Sequence, residues 1–85
     1  MSEYFIVLSR KAQKQLDKLE NPIAKPIIQA IGELARNPRP NGCIKLTDRD
    51  GYRIRVGNYR VIYDIFDDTL IVDIIEIGHR REIYG

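Results

Sequence analysis

The sequence predicts an α+β fold: a strand, two helices, then an antiparallel meander of three to four strands, with both helices packed on one side of the sheet. Apolar residues recur at helical spacing between Ser9 and Asn37, and from Cys43 onward the period switches to two. Turn-forming pairs then arrive at short intervals, as a meander requires. With 85 residues there is room for one domain, spanning 1–85, because a chain this short buries only about 60% of its unfolded surface.

Each element has a local cause. Tyr4 to Leu8 is rich in aromatic and β-branched residues, the composition of a strand, and the predicted strand runs from Glu3 to Leu8. Ser9 is a good helix cap, and Ala12, Leu16 and Leu19 line one face of the first helix. Asn21-Pro22 restarts the chain, and Ile23, Ile27, Ala30, Ile31 and Leu34 form the second apolar stripe until Asn37-Pro38 stops it. Pro26 sits awkwardly in that stripe and predicts a late start or a slight distortion, not a break. Ile44-Lys45-Leu46 is a brief strand, Tyr52 to Val56 alternates between apolar and basic residues, and Gly57-Asn58 turns the chain into Tyr59 to Phe66. The last predicted strand, Thr69 to Ile77, is hydrophobic enough to be central in the sheet.

Composition excludes several classes. No run of about 18 apolar residues is available to span a bilayer, and the acidic start Met1-Ser2-Glu3 does not suit a secretory leader. The expected location is therefore cytoplasmic, with no membrane partner. Cys43 and His79 are the single cysteine and histidine, too few for a disulfide or a zinc cluster. No metal or other cofactor is expected. A net charge of +2 says little, but its distribution says more. Arg53, Arg55, Arg60, Arg80 and Arg81 fall in two short tracts, separated by Asp64, Asp67, Asp68, Asp73 and Glu76. Segregation of that kind suits a local anion site better than a uniform basic coat.

The candidate chemistry lies in Tyr52 to Arg60 and in the tail. Alternation puts Tyr52, Ile54 and Val56 toward the core and sends Arg53 and Arg55 together into solvent, with Arg60 close by across a tight hairpin. Three guanidinium groups converging in this way match the fork-like recognition of a phosphate; an ordinary solvated strand face is the competing reading. In the tail, His79 is a residue type suited to exchanging protons, Arg80 and Arg81 add charge, and Tyr84 is suited to stacking on a base or donating a proton.

The stretch Gly51-Tyr52-Arg53-Ile54-Arg55-Val56-Gly57-Asn58-Tyr59-Arg60-Val61-Ile62-Tyr63 and the ending Ile77-Gly78-His79-Arg80-Arg81-Glu82-Ile83-Tyr84 resemble the hallmark segments of the RelE/ParE toxins of type II toxin–antitoxin systems, closest to the RelE branch. The resemblance implies a ribosome-dependent endoribonuclease, an mRNA interferase that enters the 30S A site, cleaves messenger RNA by metal-free attack of a ribose 2′-OH, and is restrained by a cognate antitoxin. Its expected catalytic residues are Arg60, His79, Arg80 and Tyr84, and its expected substrate-binding residues are Arg53, Arg55, Arg81 and Lys45. Some relatives of this kind carry lysines at the two strand positions, and arginine is too weakly acidic to serve as a base, so the base role is expected to fall to His79. Two alternatives share the fold: a ParE-like inhibitor of DNA gyrase, and a catalytically inert module that binds RNA or antitoxin.

Overall fold

In the computed structural model, which describes residues 3–81, the chain runs through β1 (Phe5–Leu8), α1 (Arg10–Asp17), α2 (Asn21–Glu33), β2 (Ile44–Lys45), β3 (Tyr52–Val56), β4 (Tyr59–Phe66) and β5 (Ile71–His79). Strands β2 to β5 form the expected antiparallel meander. β1 adds a fifth strand, parallel to β5, and the order across the sheet is β1-β5-β4-β3-β2. β5 is thus an interior strand, in keeping with its apolar sequence. The parallel pairing of Phe5 with Ile71 and of Leu8 with Ile74 joins residues 66 positions apart, which no local pattern reveals.

Both helices lie on one face of the sheet. Ala12 of α1 and Ile27, Ile31 and Leu34 of α2 and its cap pack against Ile54, Val61, Tyr63, Val72, Ile74 and Ile77, and all are buried. Tyr63 is fully buried, and its hydroxyl donates a 2.7 Å bond to the Pro38 carbonyl. That bond ties the loop after α2 to the middle of the sheet.

Pro26 produces no late start. The helix begins at Asn21, with Pro22 in its first turn, and runs continuously through Pro26 to Glu33. Pro26 is exposed and lies early in the helix, and the helix loses one backbone bond there without breaking. At the β3–β4 hairpin Gly57 takes φ +60° while Asn58 does not enter the positive-φ region, the arrangement of a type II′ turn whose twist suits a two-residue hairpin.

The edge of β5 beyond the end of β1 is closed by α1. Ser9 accepts the Ala12 N–H at 3.0 Å and donates to the Ile75 carbonyl at 2.8 Å, while the Gln15 side chain accepts the Ile77 N–H at 2.7 Å. Lys11 pairs with Glu76 at 3.2 Å on the same edge. Among the described residues no helix is long and apolar enough to cross a membrane. Since Ser9 joins the helix cap to the sheet edge, Ser9→Ala is expected to lose about 1–2 kcal/mol of stability, measured as a lower urea midpoint with an unchanged slope.

Candidate active site

Register decides which side chains share the open face. Across β3 and β4, Arg53 lies opposite Ile62 and Arg55 opposite Arg60, while Tyr52, Ile54 and Val56 lie opposite Tyr63, Val61 and Tyr59 on the helix side. Across β4 and β5, Arg60 lies opposite Gly78 and Ile62 opposite Glu76. The face away from the helices therefore carries Arg53, Arg55 and Arg60 together. Directly opposed residues bring their Cβ atoms to about 5 Å and diagonal ones to about 7 Å, so these three guanidinium groups can reach a common point. Gly78 puts no side chain beside Arg60.

The three arginines differ in exposure. Arg55 is exposed as expected, but Arg53 does not project into solvent: it retains 9% of its accessible surface and is the one buried charged residue among those described. Ile44 on β2 and Ile62 on β4 flank it in register, and Leu46 packs with Ile62 on the same face. These small apolar contacts wall in the arginine stem. Burial first, and then the charges of Arg60 and Arg55, push the Arg53 guanidinium below the usual arginine range; an arginine nevertheless stays protonated at neutral pH. Its Nε donor is buried with no hydrogen-bond partner among the described residues. An unmet buried donor costs about 1–3 kcal/mol, and like charges directly opposed across strands, as in Arg55 and Arg60, are also unfavourable. A bound anion relieves both costs.

The tail residues divide between the two faces. His79 lies opposite Tyr59, on the helix side, with its ring edge-on to that tyrosine at 5.4 Å and 77°. Its Nδ1 accepts the Arg81 N–H at 3.2 Å, which in the neutral ring leaves the proton on Nε2. His79 therefore stands apart from the arginine face, beside an apolar pocket of about 400 Å³ formed with Pro22, Ile23, Pro26, Val56 and Tyr59. Arg80 is exposed, and its N–H donates to the Asn58 carbonyl at 2.8 Å. This bond extends the β4–β5 register by one pair, which carries Arg80 back to the side of Arg60 and Gly78. Arg81 is exposed in the turn that follows. Lys45 is exposed on the edge strand opposite Tyr52, so it shares that residue's side and not the arginine side. Tyr84 lies outside the described residues.

The same face carries acids that the sequence pattern did not place. Ile62 pairs with Glu76 but Tyr63 pairs with Ile74, so Ile75 is an extra residue that forms a bulge. The bulge brings both Asp73 and Glu76 to the open face, although they are three residues apart. Two consecutive isoleucines in an otherwise alternating strand were the signal for it. Asp64 lies opposite Asp73; burial first, then the Asp73 charge, raise the Asp64 carboxyl above its ordinary value. Val7 flanks Asp73 on β1, and beyond this level the face turns apolar, with Phe5 and Phe66 exposed.

Comparison with known proteins agrees with this architecture. The family described as the ParE toxin of the type II toxin–antitoxin system parDE matches residues 6–84. The chain belongs to this family. Among curated relatives it is 31% identical to the toxin RelG of Mycobacterium tuberculosis, with 95% of each chain covered, and 26% identical to the mRNA interferase toxin RelE of Escherichia coli K12, covering 96% of this chain and 90% of that one. These relatives place it on the RelE side of the family. In fold it resembles the archaeal RelE–RelB complex of Pyrococcus horikoshii, with TM-score 0.83, 25% identity and 95% and 99% of the two chains covered. It is similar also to the toxin–antitoxin complex RelBE2 of M. tuberculosis, with TM-score 0.80, 30% identity and 94% of each chain covered.

Two stability measurements follow from the face. Because Arg53 is a buried cation with an unmet donor, Arg53→Met is expected to unfold at a urea midpoint at or above that of the wild type. For Asp64, a folded-state pKa raised above the unfolded value means that ionisation costs stability as pH rises through the folded value. Asp64→Asn should accordingly raise the melting temperature by a few degrees at pH 7, and that gain should vanish near pH 3, where both states are protonated.

Proposed function

We propose that this toxin cleaves messenger RNA on the ribosome by attack of a ribose 2′-OH on the adjacent phosphate, and that a cognate antitoxin restrains it. The observation that carries the reading is the convergence of Arg53, Arg55 and Arg60 on one open face, with a buried guanidinium donor left unmet. Such an arrangement is built for an anion and is costly without one. Attack of the 2′-OH builds negative charge on the phosphorane oxygens, and fixed cations aimed at that charge lower the barrier most. Arg60 and Arg80 are assigned to the developing charge, and Arg53 and Arg55 to holding the backbone in line. Arg81, exposed in the turn after β5, is assigned to a flanking phosphate, and Lys45, exposed on the edge strand but on the other side of the sheet, to a phosphate that passes around that edge.

In this reading Tyr84 stacks on a base or protonates the leaving 5′ oxygen. His79 has a positioning role: its ring packs on Tyr59 and its Nδ1 holds the amide of Arg81, which fixes the turn bearing Arg80 and Arg81. The proton of the attacking hydroxyl must then pass to a group other than His79. Relatives named as mRNA interferases support RNA as the substrate, and the neighbours solved as RelE–RelB complexes support an antitoxin partner.

Arg60→Ala is expected to reduce cutting at least 100-fold, the usual loss when one charge-stabilising donor is removed. Inducible expression in bacteria, with growth and the 5′ ends of cellular messages followed in parallel, measures it. Cuts confined to translated regions for the wild type, lost in Arg60→Ala and Tyr84→Ala, are the expected result. Growth arrest with intact messages and broken DNA would overturn the reading in favour of a gyrase inhibitor.

A further inference from the structure

We infer that Glu76 is the general base that takes the proton from the attacking 2′-OH, an assignment that rests on the ribonuclease reading above. The reaction requires a group that is unprotonated at neutral pH and lies on the same face as the phosphate-binding arginines. Guanidinium groups do not meet the first condition, since they hold their protons. His79 does not meet the second: it lies on the helix side, with Nδ1 engaged by the Arg81 amide.

Glu76 meets both. The bulge at Ile75 restores the alternation so that Glu76 shares the face of Ile62 and Arg60, and it lies diagonal to Arg60, about 7 Å between Cβ atoms. Gly78, directly opposite Arg60, leaves the space between them clear of side chains from β5. Asp64 and Asp73 also lie on this face, but Asp64 is four residues along β4 from Arg60, about 13 Å at strand rise, and Asp73 is opposite it. Among the described carboxylates on the face, Glu76 is therefore the one within reach of a phosphate held by Arg60.

Its surroundings keep it ready. The Glu76 side chain retains 21% of its surface, enough to meet a substrate, and Lys11 of α1 holds the carboxylate at 3.2 Å from the side of the sheet edge. That contact orients the carboxylate through Oε2 and leaves its other oxygen to accept a proton. In the step itself the 2′-OH proton moves to the Glu76 carboxylate, the O2′–P bond forms, and the P–O5′ bond breaks. The products are a 2′,3′-cyclic phosphate and a 5′-OH once the leaving oxygen is protonated by Tyr84 or water.

The test is single-turnover cleavage of a defined message bound to purified ribosomes with a codon in the A site, comparing wild type, Arg60→Ala, Glu76→Gln and Glu76→Ala. Glu76→Gln keeps shape and hydrogen bonding but removes the base, so its rate should fall about 100-fold or more, with half-saturation by toxin unchanged within about twofold. Adding sodium formate should restore at least tenfold of the rate to Glu76→Ala, because a small carboxylate fills the vacated position. A purely structural Glu76 predicts the opposite pattern: full activity in Glu76→Gln and no response to formate. Full-rate cutting by Glu76→Gln with Arg60→Ala inactive overturns the base assignment alone. Intact message with the wild type overturns the ribonuclease reading and the base assignment with it.

Discussion

Two helices cover one face of a five-stranded sheet, and the rest of the structure follows from that one-sided burial. Ala12, Ile27, Ile31 and Leu34 cover the side of Val61, Tyr63, Val72 and Ile74, and burying each isoleucine, leucine or valine of this set contributes about 1.5–3 kcal/mol. Nothing comparable remains for the other side, where the only buried cluster is Leu46 with Ile62 among the described residues. Stability is thus concentrated on one face, which frees the other to carry groups that do not favour folding. The β4–β5 pairing, eight residues long, holds both sets of side chains in place at once, because alternate residues of the same strands point to opposite faces.

That division explains how an unfavourable arrangement persists. Arg55 opposed to Arg60, and Arg53 buried between Ile44 and Ile62, each oppose folding by an amount that the helix-side core offsets. Their geometry is inherited from residues they never touch: Ile54 and Val61 set the register that Arg53, Arg55 and Arg60 must obey. A site made of charges on such a platform is preorganised, so little reorganisation is needed when a negative ligand arrives. The clasp at the far end, in which Asp67 accepts bonds from Tyr4 at 2.6 Å and from Arg39 at 2.9 Å, keeps β1 and the loop after α2 attached without drawing on the arginines of the open face.

Much of this was legible in the residues. The change of period at Cys43, the Gly57-Asn58 turn and the alternation of Tyr52 to Val56 are local signals, and local signals specified the helices, the meander and the shared face of Arg53, Arg55 and Arg60. What was not legible depends on tertiary placement. The parallel pairing of β1 with β5 joins the two ends of the chain; the burial of Arg53 depends on β2 and Leu46 closing over its stem. The side of His79 follows from counting register back from Tyr59, and since Gly78 precedes it, a one-residue difference separates the helix side from the arginine side. Glu76 was visible as one acid among several. Only the bulge at Ile75 distinguishes it, because without that extra residue Glu76 and Asp73 would lie on opposite faces.

The open face is also graded along the strands, and the gradient constrains how a polyanion can cross it. Arginines occupy the hairpin end, Asp64 and Asp73 the middle with Val7 beside them, and Phe5 and Phe66 the far end. A nucleic acid strand laid along β4 would carry its phosphates from Arg60 directly over the aspartates, where like charge opposes it. Laid across the strands at the hairpin end, it meets Arg55, Arg60 and Arg80 in succession and then the edge guarded by Lys11. The second path keeps every phosphate near a cation, and it passes Gly78, where the face is lowest and Glu76 is at hand. Sheet register therefore sets more than the identity of the groups on this face; it sets the direction in which a polyanion can cross it.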